Sequence, residues 1–167
     1  LPEAFDATLD WCVKNRVPLV SGTTGLKPPQ RRRMQRAAKK IPILWASNMS
    51  LGVAVVRAML CALSPIESWG FQISEEHHRH KKDRPSGTAL TLQGDLEKVI
   101  GRRAPRIRSL RGGEVAGVHR ITAKSKEEVL TIEHKALNRT VFARGAIAAA
   151  RWLFDKKRAG LYELGQI

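Results

Sequence analysis

The sequence predicts two regions, an α/β part built on a parallel sheet and an α+β part built on a mixed or antiparallel sheet. Three observations carry this. Short apolar, β-branched runs alternate with helical periods over residues 1–63, the rhythm of a parallel sheet covered by helices. Longer extended segments follow, and the last two are joined by the polar stretch KSKEE, as in an antiparallel hairpin. An alanine-rich helix over residues 145–154 then closes the chain and is expected to pack back on the first region.

The elements follow in order. Residues 2–15 place Ala4, Phe5, Thr8, Leu9, Cys12 and Val13 on one helical face. VPLV, residues 17–20, reads as a buried strand, and SGTTGL, residues 21–26, as a turn with two glycines. PPQRRRMQRAAKK, residues 28–40, is expected to be a basic helix with proline at its permitted start. IPILWAS is a second buried strand, and Ser50 is expected to cap a helix reaching Leu63. WGFQIS is a strand that feeds EEHHRHKKDRPSGTAL, residues 75–90. A helix from Ser86 to Ile100 carries Leu90, Leu92, Leu96, Val99 and Ile100, and IRSLR, VAGVHRITA and EVLTIEHKA are extended.

A chain of 167 residues with 43% hydrophobic content can bury a proper core in one or two domains, which excludes a disordered protein. The net charge of +15 favours anionic partners: nucleic acid, an acidic membrane surface or small polyanions. Arg31, Arg32, Arg33, Arg36, Lys39 and Lys40 gather on one expected helix. With a single tyrosine and no nucleic-acid motif, a solvated face is preferred there to a nucleic-acid surface. No apolar run approaches the ~18 residues of a membrane span, and the first residues do not resemble a secretory signal. Cys12 and Cys61 lack metal-ligand spacing and read as reduced, packed thiols, so a cytoplasmic location without membrane partners is expected.

The chemistry concentrates in residues 75–90. His77 and His78 end a strand, and neighbouring side chains there point to opposite faces, so the two rings are expected to do different work. Ser86 is a natural N-cap, Gly87 leaves the backbone open, and Thr88 adds a hydroxyl. A helix start with unpaired N–H groups accepts anions, and Lys81 lies just upstream. A titratable imidazole beside such a cradle suits a small anion that must receive a proton. Zinc on His77, His78 and His80 is disfavoured by the strand alternation, and no metal is expected. Two further polar turns, SGTTGL and SNMS, end successive expected parallel strands, where ligands of such sheets bind.

HHRHKKDRPSGTAL, SGTTGL, SNMSLGV, the H-x-A-x-x-R-x-x-F-A-x-G-A spacing from His134 and the tail GLYEL together resemble the dihydrodipicolinate reductase family, in order and across nearly the whole chain. The resemblance implies a remnant of a Rossmann-like parallel sheet, residues 1–49 joined by 145–167, and a substrate-binding and oligomerisation domain, residues 50–144. It implies NADPH- or NADH-dependent reduction of a cyclic dicarboxylate in lysine and diaminopimelate synthesis, by a homotetramer. His77 matches the family's general acid and Lys81 its second proton-donating or carboxylate-binding residue. His78, Ser86, Gly87 and Thr88 match substrate contacts. Gly22, Thr23, Thr24, Ala46, Ser47, Asn48, Met49 and Arg139 match cofactor contacts. Arg84 stands where the family usually has alanine, and Met49 where an aromatic is common. The family's Gly-rich phosphate turn does not precede residue 1, so weak cofactor binding is expected of this polypeptide alone. Two other readings are a non-catalytic dicarboxylate-binding paralogue and a basic nucleic-acid-binding module.

Overall fold

The computed structural model describes residues 2–156 and 158–167, which form two compact units. In chain order the elements are α1 (Pro2–Asn15), β1 (Leu19–Ser21), α2 (Pro28–Ala37), β2 (Pro42–Trp45), α3 (Leu51–Cys61), β3 (Gly70–His77), α4 (Gly87–Ile100), β4 (Arg108–Arg111), β5 (Gly117–Lys124), β6 (Val129–Ala136), α5 (Thr140–Phe154) and β7 (Gly160–Tyr162). The first unit holds the residues up to Leu51 with Val141–Ile167, and the second holds Gly52–Thr140.

In the first unit β1, β2 and β7 form an all-parallel sheet in the order β1-β2-β7. Phe5, Leu9 and Cys12 of α1 and Met34 and Ala37 of α2 bury against Leu19 and Ile43. The basic helix α2 is tied inward at two points. Arg33 donates to Asp10 at 2.6 Å, and Arg31 lies over the Trp45 ring at 5.2 Å. The closing helix packs back as expected, with Gly145 against the backbone of Met49.

In the second unit the sheet order is β4-β3-β5-β6, with β4 parallel to β3 and the other pairs antiparallel. One face is covered. Val56 and Leu60 of α3 and Leu92, Leu96 and Ile100 of α4 pack on Phe71, Ile73, Ile121 and Ile132. Arg57, which interrupts the most apolar helix, pairs with Asp95 of α4 at 2.6 Å. A charged residue inside an apolar sequence is thus a clamp between helices.

Four expectations need correction. The basic helix ends at Ala37, so Lys39 and Lys40 leave it. Ile41 precedes Pro42, and the residue before proline is driven out of the α region. The last helix begins at Thr140, because the Asn138 side chain accepts the Thr140 N–H at 3.0 Å and starts it early. The tail GLYEL contributes β7, whose pairing with β2 completes a sheet that local sequence reads as having two strands. Cys12 is packed, but Cys61 is exposed, since it lies off the Val53, Val56 and Leu60 stripe of α3.

Two glycines in helices should respond oppositely to alanine. A Cβ on Gly145 would land on the Met49 carbonyl oxygen, with no flexible side chain to yield. Gly145→Ala is expected to cost at least about 1–3 kcal/mol, as overpacking does. Gly94 in α4 has open space around it, and Gly94→Ala should add about 0.5–1 kcal/mol by reducing backbone freedom in the unfolded chain. Urea midpoints of the two variants check both signs.

Candidate active site

Strand register builds the core of the site. Across the second sheet Ser109 of β4 stands opposite Glu75 of β3, Glu75 opposite His119 of β5, and His119 opposite His134 of β6. One step along, Arg111 stands opposite His77, and Gly117 opposite Ala136. A Cβ on Gly117 would come within 3.0 Å of His77 Nε2. The period of two puts these side chains on one face, so the sheet carries a polar row beside its apolar core.

That row is buried and charged. Glu75 is 1% exposed, and His77, His119 and Ser86 are buried with it. Arg111 Nη1 lies 2.8 Å from Glu75 Oε1, while His77 Nδ1 meets Oε2 of the same carboxylate. Burial pushes the Glu75 carboxyl up, but Ser109, Arg111 and His77 together bring it below its ordinary value, so it is ionised. For His77 burial is the largest influence and lowers its proton affinity. Glu75 opposes this, Lys81 and Arg111 reinforce it, and the result lies below the ordinary value. The imidazolium expected of His77 is therefore not the resting form at neutral pH. His77 meets His119 edge-on, with ring centres 5.2 Å apart. His119 is lowered to about 4, by burial first, with His77, His134 and Lys81 adding to the effect and Glu75 opposing it.

Glu75, His77 and His119 have ligand atoms within 4.8 Å of one another, the spacing of a metal group. In this structure the Arg111 guanidinium and His77 Nδ1 already meet the two oxygens of the Glu75 carboxylate.

The turn after β3 supplies the remaining groups. His77 and His78 differ as the alternation requires: His77 is buried, and His78 is half-buried with its N–H on the Val115 carbonyl at 2.8 Å. Lys81 Nζ meets Asp83 Oδ1 at 2.7 Å, and the Asp83 carboxyl, raised by burial, is brought below its ordinary value by Lys81 and the Gly87 backbone. The turn therefore already holds one carboxylate. Ser86 caps α4, accepting the Ala89 N–H at 3.2 Å, and its hydroxyl also meets His119 Nε2 at 3.3 Å. Both uses are internal. Gly87 is exposed with open space around it, and Thr88 is half-buried beside it. Arg84 reaches away from the turn and donates to the Ser109 carbonyl at 2.6 Å.

Sequence reasoning did not single out Glu75, Arg111 or His119. The signal was faint: a Glu two residues before a His on one strand shares its face, but Arg111 and His119 come from other strands.

In the first unit the turns after β1 and β2 lie side by side, with the Ala46 N–H on the Ser21 carbonyl at 3.2 Å. Trp45 Nε1 donates to the Thr23 carbonyl at 2.9 Å, and Asn48 accepts the Ser50 N–H at 2.8 Å. Gly22 and Thr24 are exposed, and Thr23, Ala46, Ser47 and Asn48 are half-buried. A Cβ on Gly22 would meet the Met49 side chain at 3.4 Å. These small, hydroxylic residues lie at the carboxyl ends of parallel strands, the position at which ligands of such sheets bind. Arg139 is exposed in the β6–α5 link of the second unit.

Comparison with known proteins gives one consistent result. Residues 1–49 match the family model described as dihydrodipicolinate reductase, N-terminus, and residues 52–167 match dihydrodipicolinate reductase, C-terminus. The chain is 51% identical to a 4-hydroxy-tetrahydrodipicolinate reductase of Bdellovibrio bacteriovorus over 99% of its length and 72% of the relative's. It is 46% identical to the same-named protein of Stenotrophomonas maltophilia over 92% of its length and 64% of the relative's. The chain thus spans roughly two thirds of the relatives it matches. Its fold is that of dipicolinate-bound dihydrodipicolinate reductase from Paenisporosarcina sp. TG-14, with a TM-score of 0.82, 21% identity and coverage of 100% and 71% of the two chains.

The buried imidazoles predict an acid-labile protein. His119 binds a proton near 6.5 when unfolded and near 4 when folded, so below pH 6.5 the unfolded chain takes up more protons. Stability is complete above that value and falls as pH drops towards 4, by up to about 2–3 kcal/mol from this ring alone. His77 and His134 act in the same direction, and the lowered Glu75 extends the loss to more acid pH. Urea midpoints should fall steadily between pH 7 and 4.5, and His119→Gln should flatten that slope.

Proposed function

The chain belongs to the dihydrodipicolinate reductase family, and from that premise we propose that it carries out the NADPH- or NADH-dependent reduction of 4-hydroxy-tetrahydrodipicolinate to tetrahydrodipicolinate, in lysine and diaminopimelate biosynthesis. The observation that carries the proposal is a buried His77 held against the Glu75 carboxylate and within electrostatic reach of Lys81, at the mouth of a turn that already holds a carboxylate. An acid beside an anion cradle is what a dicarboxylate needs if it is to be protonated while it is reduced. The dipicolinate named in the Paenisporosarcina structure is a compound of that class.

In this reading residues 52–140 bind the substrate. Lys81 and the backbone at Gly87, beside Thr88, take one carboxylate, with Asp83 giving way. His78 lines the turn, and Ser86 holds its shape from within. The substrate's negative charge raises the proton affinity of His77 and reverses the effect of burial. His77 then donates a proton to the conjugated system. Gly22, Thr23 and Thr24, with Ala46, Ser47, Asn48 and Met49, hold the nicotinamide end of the cofactor. The bound cofactor supplies the hydride.

The reading extends to a cytoplasmic homotetramer assembled through the second sheet, whose uncovered face carries the Arg120–Glu133 pair. Among the described residues no helix is long and apolar enough to cross a membrane.

The test is paired. His77→Gln is expected to lower turnover by roughly 10²–10⁴-fold while pyridine-2,6-dicarboxylate binding stays within a few-fold. Lys81→Ala is expected to weaken that binding by about tenfold or more, since it removes a charge-assisted contact. Calorimetry and cofactor oxidation give the two readouts. Dicarboxylate binding by the unmodified chain without cofactor oxidation would point to a non-catalytic binding protein.

A further inference from the structure

We infer that Glu75, anchored by Arg111, is a positioning residue for His77: it takes up the Nδ1 side of the ring and so leaves Nε2 as the nitrogen that carries and delivers the proton. This rests on the assignment of His77 as the acid.

The geometry is specific about the two nitrogens. Nδ1 is enclosed and faces the Glu75 carboxylate, whose other oxygen is taken by Arg111 at 2.8 Å. Nε2 faces Gly117, where the missing Cβ leaves space that a side chain would close to 3.0 Å. An ionised carboxylate accepts hydrogen bonds and donates none, so its neighbour Nδ1 keeps a proton. The neutral ring is then the Nδ1–H form, and a second proton can enter and leave only at Nε2. When that proton passes to the substrate, the ring returns to its Nδ1–H form and takes another from solvent.

Other charges surround the ring. Lys81 in the following turn and Arg111 on β4 disfavour a proton on His77, and His119 on β5 adds to this when charged. His134 on β6 lies next to His119, with ring centres 6.4 Å apart. Glu75 is the one carboxylate paired with His77 among the described residues. Arg111 keeps that carboxylate ionised and in place at the sheet edge.

The test reads the ring itself, in the cofactor-free chain. Nitrogen-15 NMR of labelled histidine should show neutral His77 protonated on Nδ1, with Nε2 as the titrating nitrogen. Neutral His77 protonated on Nε2 would overturn the inference with no variant required. Glu75→Gln keeps the shape and an acceptor oxygen but removes the charge. It should lower the His77 titration midpoint by about one unit or more, with the backbone amide spectrum confirming the fold. In the reductase assay the fall of kcat with rising pH should move down by the same amount, about tenfold in rate per unit on that limb. KM should stay within about twofold. A residue that only supports the fold would lower the folded fraction and leave the titration and the profile where they were, and that result would also overturn it. The NMR readouts stand even if the chain reduces nothing, while His77→Gln tests the acid whatever Glu75 does.

Discussion

The second unit depends on a carboxylate that has no contact with water. Removing an ionised Glu75 from solvent costs several kcal/mol, and the chain tolerates it only because a guanidinium and an imidazole meet it on two sides. Those partners arrive through strand register. β4 runs parallel to β3 so that Ser109 and Arg111 fall opposite Glu75 and His77. A slip of one residue would turn Arg111 to the other face and leave the carboxylate alone. The mixed sheet, with one parallel pair among antiparallel ones, is thus tied to the charge arrangement it has to satisfy.

The buried row and the exposed turn make unequal contributions. The Lys81–Asp83 pair is part-exposed, and such pairs add little stability because water competes for both partners. A weak pair in a turn can be exchanged for a ligand at small cost. A buried pair cannot, because breaking it leaves an uncompensated charge. His77 therefore sits on the rigid element, and Lys81 on the exchangeable one. Ser86 joins them, since its hydroxyl both starts α4 and meets His119.

Much of this organisation was legible in the sequence, and the limits have physical causes. The parallel alternation, the hairpin and the Ser86 cap follow from local periodicity and from one side chain, and they stand as expected. The turn after His77 was legible too, because proline, serine and glycine dictate backbone geometry wherever they occur. The strand β7 was missed because a three-residue edge strand is made by its partner rather than by its own pattern. Glu75 read as one more charge in a charged run, and nothing local marks it as buried. Its burial is decided by Arg111 and His119, which lie dozens of residues away in sequence and become neighbours only when three strands align.

The same cluster bears on the high net charge. In a chain of formal charge +15 every ionised lysine and arginine makes it harder for a histidine to hold a proton. Part of the excess is locally compensated, as Arg33 is by Asp10, Arg57 by Asp95 and Arg120 by Glu133. The turn around His77 is compensated only in part: Lys81 meets Asp83 and Arg79 lies 3.9 Å from Glu114, while Lys82 and Arg84 add further positive charge. Such a potential opposes protonation of a histidine within it. At His77 burial carries the balance below the ordinary value, the Glu75 carboxylate works against that effect, and Lys81 and Arg111 reinforce it. The proton affinity of this ring is therefore set by a buried carboxylate and a surrounding positive charge acting in opposite directions.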